Sequence, residues 1–314
     1  MKLFISHHSA LEYWRSRRAL PKVSASRRYR IDLPGELTSA TPLVFSGLRL
    51  PVHILLSSQE YRRESIVAIQ HVFSAETPIG CFMNIGKRFV VSSPEFCFLQ
   101  MANEIELLEL IELGFELCGD YSLPLPNDEQ KPERGFYNRP SLTNTKKIGA
   151  FLEGMTSTKG HRKAVRALKY LQDGSASPME TKLAMLLTLP HKLGGYGFDL
   201  PELNSRVSLS KIAKRHFSKD YYVCDLLWPD TKTAVEYDSD LFHTGSERIA
   251  NDSKRRNVLT SIGVDVLTVT RQQLYSIPEL EKVARILAKY LGKRLRHENG
   301  NFATAHQKLR RQLL

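Results

Sequence analysis

The sequence predicts an α/β (α+β) protein with two domains, and three observations lead to this fold class. First, residues 221–237 contain two short β-branched and aromatic runs separated by Pro-Asp-Thr-Lys, a pattern typical of a β-hairpin. Second, residues 246–262 have a helical pattern and precede a β-branched run at 264–270, as in a crossover between parallel strands. Third, a proline-rich stretch at 124–140 separates this region from an N-terminal part that also mixes strand and helix patterns.

The length and composition are those of a soluble globular protein. A chain of 314 residues predicts about two domains, and 42% hydrophobic with 25% charged residues is an ordinary balance. No apolar run approaches the roughly 18 residues that a membrane span needs, and the N-terminus lacks the apolar region of a secretory signal. We therefore expect a cytoplasmic protein with no membrane partner.

The four cysteines predict neither a disulfide framework nor a zinc site. Cys81, Cys97, Cys118 and Cys224 lie far apart in the sequence and form no C-x-x-C pair. We therefore expect reduced and mostly buried thiols, as is usual in a cytoplasmic protein.

The net charge of +12 is concentrated at the two ends of the chain. Basic residues crowd the first thirty positions and the segment 293–314, whereas residues 89–130 contain no lysine or arginine. Basic ends around a neutral-to-acidic middle indicate a polyanionic partner, most simply a nucleic acid. A solvated surface without a partner is an equally common explanation of charge runs.

In the N-terminal part, β-branched runs predict strands and apolar residues at helical spacing predict helices. The expected elements are a helix at 9–18, strands at 43–56, 66–73, 81–85 and 88–91, and a helix at 94–118. The glutamates of the last helix fall mainly opposite its apolar face, which indicates a solvated surface rather than a metal site. These glutamates are Glu104, Glu106, Glu109 and Glu112. The proline-rich stretch then ends a domain at residue 140.

After residue 140 the pattern predicts further helices and then an extended segment. Residues 146–171 form a basic helical segment that is broken near 154–160. The next helix begins at Ser177, with Pro178 at its first position and Glu180 three residues after the cap, which is a capping box. This role explains Glu180 structurally, and a carboxylate at the mouth of the hairpin is compatible with it. We expect residues 200–219 to be extended.

The hairpin gathers carboxylates on one face of the sheet. A four-residue loop would set the pairs Trp228 with Thr233, Leu227 with Ala234, and Asp225 with Glu236. Asp238 follows Glu236 on the same face because strand side chains alternate with period two. Like charges on directly opposed residues are destabilising, and a divalent cation between them reverses this effect. The pattern therefore predicts a metal site formed by Asp225, Glu236 and Asp238.

The order of these elements resembles the PD-(D/E)XK nuclease core, in the branch of very-short-patch-repair (Vsr-like) endonucleases. The matching positions are Asp225, Glu236, Asp238, His243, Asp252 and Arg255. The resemblance implies a restriction-endonuclease-like mixed sheet in a nuclease domain at 141–292, followed by a basic tail at 293–314. One departure is that Tyr237-Asp238 stands where the superfamily motif places its lysine, although the Vsr-like branch often lacks it as well.

The resemblance implies an endonuclease that hydrolyses DNA with Mg²⁺ or Mn²⁺. Asp225 and Glu236 would ligate the metal, and Asp238 or Glu180 would complete the site. His243 would act as general acid or base, although a loop histidine without a catalytic role is an equal alternative. The expected DNA contacts are Lys254, Arg255, Arg256, Lys293, Arg294 and Arg296. An ion pair on the helix surface is a simpler explanation of Asp252 and Arg255.

The N-terminal part shows a second resemblance, to the AbiEi-type antitoxins of abortive-infection systems. The segments at 7–13, 91–102 and 116–121 carry it. It implies that residues 1–140 form a binding or regulatory domain that contacts a protein partner. It also implies a defence, mobile-element or toxin–antitoxin context. Two hypotheses remain open: a metal-dependent endonuclease, and a catalytically inactive DNA-binding regulator that uses the nuclease fold as a scaffold. The fold alone does not decide between them.

Overall fold

The chain forms two compact units that each combine helices and strands. The computed structural model describes residues 3–18, 48–86, 89–125, 136–209, 220–238, 263–295 and 300–314. The first unit is Met1–Leu171 and the second is Gln172–Leu314. This organisation agrees with the predicted mixed α/β class. None of the described helices combines the length and the apolarity that crossing a membrane requires.

The first unit contains a five-stranded mixed sheet. Its strands are β1 (Leu3–Ile5), β2 (Val52–Leu56), β3 (Ala68–Val72), β4 (Phe82–Asn84) and β5 (Phe89–Ser92). Their order is β3-β2-β1-β5-β4, with β1 parallel to β5 and β2 parallel to β3. The predicted strands at 43–56, 66–73, 81–85 and 88–91 correspond to β2, β3, β4 and β5. Ile54 and Val90 are buried in this sheet, as the apolar runs predict. Phe4 is buried as well, on strand β1, which the sequence pattern did not predict.

Helices and a two-stranded sheet complete the first unit. They are α1 (His7–Arg15), α2 (Pro94–Glu104), α3 (Leu107–Cys118), β6 (Tyr121–Ser122), β7 (Phe136–Tyr137), α4 (Thr145–Glu153) and α5 (His161–Leu168). The helix α2 packs against α1, α3, α4 and α5. Its apolar side chains are therefore buried, with Phe96, Phe98 and Leu99 completely inaccessible to solvent.

The single helix predicted at 94–118 is wrong, because the chain breaks between α2 and α3. Ile105 has an extended backbone (φ −117°, ψ 161°), and Glu106 is the N-cap of α3. The N–H of Glu106 donates to the Glu109 carboxylate at 2.9 Å, and the Glu106 side chain accepts from the backbone of Glu109 in return. This capping box starts a new helix within a run whose apolar spacing is continuous.

The first unit continues for about thirty residues beyond the boundary predicted at residue 140. The break predicted near 154–160 is confirmed, since α4 ends at Glu153 and α5 follows Gly160, which has a positive φ of 84°. Both helices pack against α2. At the end of the unit, the side chain of Leu171 lies so close to Gly114 of α3 that a Cβ there would overlap it. The segment 141–171 is thus part of the first unit.

The second unit contains a four-stranded sheet with helices. Its elements are α6 (Pro178–Thr188), β8 (Glu202–Ser208), β9 (Tyr221–Trp228), β10 (Thr233–Asp238), β11 (Asp265–Thr270), α7 (Arg271–Tyr275), α8 (Ile277–Tyr290) and α9 (Gly300–Leu313). The strand order is β11-β10-β9-β8, with β8, β9 and β10 antiparallel and β11 parallel to β10. The predicted return of the chain to a parallel strand is therefore confirmed. The helix predicted at 246–262 lies outside the described residues.

The hairpin has the predicted register. Trp228 pairs with Thr233 and Leu227 pairs with Ala234, as the four-residue loop requires. The ladder between β9 and β10 then ends with the pair Leu226–Val235. Asp225 and Glu236, the next residues on the two strands, therefore lie where the regular ladder stops.

The segment predicted as a basic tail at 293–314 contains the helix α9. This helix packs against α6 and against a 3₁₀ helix at His191–Leu193. Leu309 and Leu313 are buried, and so is Arg310, whose guanidinium donates to the Tyr275 carbonyl at 2.7 Å. His306 also contacts the carbonyl oxygen of Gly194 at 2.6 Å. Residues 300–314 therefore belong to the folded second unit.

Candidate active site

Helix α6 places Glu180 at its N-terminal end. The hydroxyl of Ser177 accepts the N–H of Glu180 at 3.2 Å, so the predicted N-cap is confirmed. The reciprocal half of the predicted capping box differs, because the Glu180 carboxylate accepts the N–H of Ala176 at 2.9 Å and the side-chain amide of Asn204 at 2.6 Å. The carboxylate is therefore held against strand β8.

Asn204 interrupts the pairing of β8 with β9 beside Asp225. The register contains Leu203–Leu226 and Ser205–Cys224 but omits the position between them, where Asn204 would face Asp225. Asn204 has a positive φ of 48°, a conformation that asparagine adopts more readily than most residues. Its amide donates to the carbonyl oxygen of Gly174 at 2.9 Å as well as to Glu180. The sequence interpretation missed Asn204, whose only signal is a poor strand former inside a strand.

The backbone of β10 holds the Asp225 side chain in place, at the point where the β9–β10 ladder has ended. Oδ2 of Asp225 accepts the N–H of Tyr237 at 2.8 Å. This bond joins a side chain to a main chain at the position just beyond the last ladder pair. The carboxylate of Asp225 is consequently fixed between the two neighbouring strands.

Glu236 is buried on β10, with only 8% of its surface exposed. The hydroxyl of Tyr222 on β9 donates to its Oε2 at 3.2 Å. Tyr222 belongs to an apolar cluster with Cys224, Leu227 and Ala234. Tyr222 was also missed from the sequence, because it appears there as an ordinary apolar strand residue. A carboxylate beside such a cluster loses much of its hydration.

Burial and repulsion from neighbouring carboxylates raise the pKa values of both hairpin carboxylates. The pKa of Asp225 is raised mainly by burial and then by the charge of Glu180, while the hydrogen bond from Tyr237 opposes the shift. The pKa of Glu236 is raised by burial first, then by Asp225, and also by Glu180. Cys224 lies in the same field, and burial followed by these carboxylates raises its pKa to about 12. The thiol is therefore neutral, and the half-buried Asp225 lies near the buried carboxyl groups of Glu180 and Glu236.

The structure thus brings Glu180 close to Asp225 and Glu236, whereas the sequence emphasised Asp238. Asp238 is half-buried at the end of β10, opposite Thr270 of β11. Among the described charges, it is not one of those that raise the pKa of Asp225 or Glu236. The metal role assigned to Asp238 stays a prediction.

The other predicted site residues divide into two groups. His243, Asp252, Lys254, Arg255, Arg256 and Arg296 lie outside the described residues. Lys293 and Arg294 are described at the end of the second unit, where Lys293 forms an ion pair with Asp199 and Arg294 is exposed. A role in DNA binding stays a prediction for all of these basic residues.

The donor chemistry of the carboxylate site suits a hard divalent cation. Carboxylate oxygens are the ligands that Mg²⁺ takes in proteins, usually one or two of them together with several waters. Within the described part of the chain, Glu180, Asp225 and Glu236 do not form a group with all three ligand atoms inside 4.8 Å of one another. A site in which one or two of the three bind the ion directly fits this spacing.

No protein-family profile matches the chain, and no curated protein or solved structure matches it. The resemblance to PD-(D/E)XK nucleases therefore rests on the quoted residues and on the order of the elements. The resemblance to AbiEi-type antitoxins rests in the same way on its three N-terminal segments.

Proposed function

We propose that the chain is a metal-dependent endonuclease that hydrolyses phosphodiester bonds of DNA, with its active centre in the second unit. The observation that carries this proposal is the pair Asp225 and Glu236, whose pKa values are raised by burial and by neighbouring carboxylates. Such an arrangement opposes folding when the groups are ionised. A bound cation reverses the repulsion and makes the carboxylates favourable.

The order of the secondary structure supports the same proposal. The helix that carries Glu180 is followed by three antiparallel strands, and a fourth strand then pairs in parallel with the third. Asp225 lies on the second strand and Glu236 on the third. This is the order that the resemblance to PD-(D/E)XK nucleases implies, with a restriction-endonuclease-like sheet and with Mg²⁺ or Mn²⁺ as cofactor.

Each residue of the site has a specific role in this proposal. Asp225 and Glu236 would hold the ion, and Asn204 and Ala176 would orient Glu180 toward it. Bound there, the ion would acidify a water and neutralise charge on the scissile phosphate. Asp238 and His243 are candidates for completing the site and for moving protons. Lys293 and Arg294 would contact the DNA backbone.

A second candidate function is that of a catalytically inactive DNA-binding regulator or antitoxin. The sequence at the end of β10 favours it, because Tyr237 and Asp238 stand where the superfamily motif places its lysine. On this alternative the fold would serve as a scaffold and the carboxylates would have no role in hydrolysis.

A cleavage assay distinguishes the two functions. It uses supercoiled plasmid and single-stranded DNA as substrates, with Mg²⁺, Mn²⁺ or EDTA present. The variant Glu236→Gln preserves the size of the side chain, and Glu202→Gln on the exposed part of β8 is a matched control. We expect metal-dependent nicking by the wild type and by the control, and a loss of at least about a hundredfold in Glu236→Gln. DNA binding without cleavage by all three proteins would support the regulator instead.

A further inference from the structure

The first unit contains a second group of metal-ligand side chains, far in sequence from the carboxylate site. His7 lies at the start of α1, His71 in β3 and Glu104 at the end of α2. One ring nitrogen of each histidine and one carboxylate oxygen of Glu104 all lie within 4.8 Å of one another. Metal ligands of the zinc type lie about 2.0–2.2 Å from the ion, so binding one ion requires the three ligand atoms to approach one another and one of the two stacked imidazole rings to rotate.

We propose that His7, His71 and Glu104 bind a divalent transition-metal ion of the zinc type, with an open coordination position facing a cavity of the first unit. Two imidazoles and one carboxylate form a set that suits zinc and its neighbours in the first transition row. Three protein ligands and a fourth position for water or a small anion are typical of reactive zinc centres. The proposal does not depend on the nuclease function of the second unit.

Both histidines have a hydrogen-bond partner for one ring nitrogen, which leaves the other to bind a metal. Nδ1 of His7 lies 3.0 Å from the Ser6 hydroxyl, and Nε2 of His71 lies 2.9 Å from Nδ1 of His53. Metal-binding histidines usually have such a partner, because it fixes the tautomer and the orientation of the ring. The rings of His7 and His71 are stacked, with centroids 3.6 Å apart. Because an imidazole nitrogen binds a metal in the plane of its ring, one of these rings would turn out of the stack when the ion binds.

The backbone of His7 is held in a strained conformation. Its φ is +46°, a conformation that is unfavourable for a residue other than glycine and is commonly found at functional sites. The side-chain oxygen of Gln100 accepts the His7 N–H at 3.0 Å, and the thiol of Cys97 contacts the His7 carbonyl. These buried contacts from α2 keep the His7 ring against His71.

Gln100 provides an independent indication of a ligand. Its Nε2 is buried and has no hydrogen-bond acceptor within the described residues, and only 6% of the residue is exposed. Because the Gln100 oxygen accepts from His7, the amide nitrogen is directed elsewhere. Gln100 lines the same cavity as His7, His71 and Glu104. A metal-bound hydroxide or anion in this cavity would supply the acceptor that the amide lacks.

The cavity favours an anionic or oxygen ligand at the open position. Its volume is about 320 Å³, and its lining includes the cations Arg62 and Lys159 as well as the three metal-ligand residues. Positive side chains near a metal-bound position attract a small anion. We expect a water at this position in the resting state, with phosphate or another small oxyanion able to replace it.

Metal binding by the EDTA-dialysed full chain tests the proposal. Zn²⁺ affinity is measured by calorimetry in excess Mg²⁺, which would compete with Zn²⁺ for the carboxylates of the second unit. Co²⁺ is added as a spectroscopic probe. We expect the wild type to bind one Zn²⁺ and to give the strong visible absorption of four- or five-coordinate Co²⁺. His71→Gln and Glu104→Gln should each weaken Zn²⁺ binding by at least about tenfold.

Two controls separate this site from the rest of the protein. Glu64→Gln changes an exposed glutamate of the same unit, and Glu236→Gln changes the carboxylate site of the second unit. Both should bind Zn²⁺ as the wild type does. Because Glu104 is exposed, Glu104→Gln should fold normally, and circular dichroism checks this. The proposal is overturned if the wild type binds no Zn²⁺ in Mg²⁺, or if folded Glu104→Gln binds it as tightly as Glu64→Gln.

Discussion

Replacing Asp225 by asparagine should stabilise the metal-free protein at alkaline pH. Burial and Glu180 raise the pKa of Asp225 from 3.8 to about 7, and one pKa unit corresponds to about 1.4 kcal/mol. Ionising Asp225 at pH 8 therefore costs the folded state about 4 kcal/mol. Asparagine keeps an oxygen that can accept the Tyr237 N–H, but its buried amide needs a partner. We expect a net gain of about 2 kcal/mol, or about 4–8 °C in Tm for a unit of this size.

The gain should depend on pH in a defined direction. The folded-state pKa of Asp225 is raised, so the wild type is most stable below the unfolded-state pKa of about 4 and loses stability as the pH rises through about 7. Asparagine does not titrate in this range. The Tm values of Asp225→Asn and wild type should therefore converge near pH 4 and diverge toward pH 8 in EDTA.

Thermal unfolding in EDTA and in Mg²⁺ measures both effects. Mg²⁺ should raise the Tm of the wild type at pH 8 and should have little effect on Asp225→Asn, because only the folded wild type binds the ion. Asp230→Asn, at an exposed position in the turn of the same hairpin, should change stability by less than about 0.5 kcal/mol. A lower Tm for Asp225→Asn at pH 8 in EDTA, with Asp230→Asn unchanged, would refute the reasoning and assign Asp225 a purely structural role.

Two further predictions concern Asn204 and the exposed basic residues. Asn204→Gly keeps the positive φ but removes the amide bonded to Glu180, so the free energy of unfolding should fall by about 1–2 kcal/mol. Metal-dependent cleavage by this variant should also fall, without loss of DNA binding. Asn204→Ala should be less stable than Asn204→Gly by about a further 1 kcal/mol, and equal stability of the two variants would argue against the backbone constraint. Replacing Lys293 and Arg294 by glutamine should reduce the slope of log affinity for DNA against log salt by about 1–2. The same change at Lys282 and Arg285, which form ion pairs on α8, is the control, and equal slopes in both double variants would contradict the phosphate role.

The hairpin could be predicted because local chemistry determines it. The turn residues and the alternating strands define the pairs Leu227–Ala234 and Trp228–Thr233, both of which occur. The break between α2 and α3 was missed although its signal was local. Ile105 continues the apolar spacing, and the cap is a glutamate, which is a less common N-cap than serine, threonine, aspartate or asparagine.

The composition of the two candidate sites could be predicted only in part. The hairpin register placed Asp225 and Glu236 together. The contribution of Glu180 depends instead on how α6 packs against the sheet and on the left-handed backbone of Asn204. Neither feature is visible in sequence spacing. The group formed by His7 and His71 depends on contacts between residues 64 positions apart. Glu104 was predicted to be a solvated glutamate; it is exposed, and it also lies beside both histidines.

The energetics of the carboxylate site favour the nuclease over the inactive regulator. A protein that only binds DNA phosphates gains affinity when acidic residues near the DNA are removed, since they repel the phosphates. Here Glu236 is instead buried and Asp225 half-buried beside Glu180, where ionisation costs stability. Backbone and amide hydrogen bonds hold Asp225 and Glu180 in place rather than releasing them to solvent. The proposed cation between these carboxylates would give this arrangement a function that DNA binding alone does not.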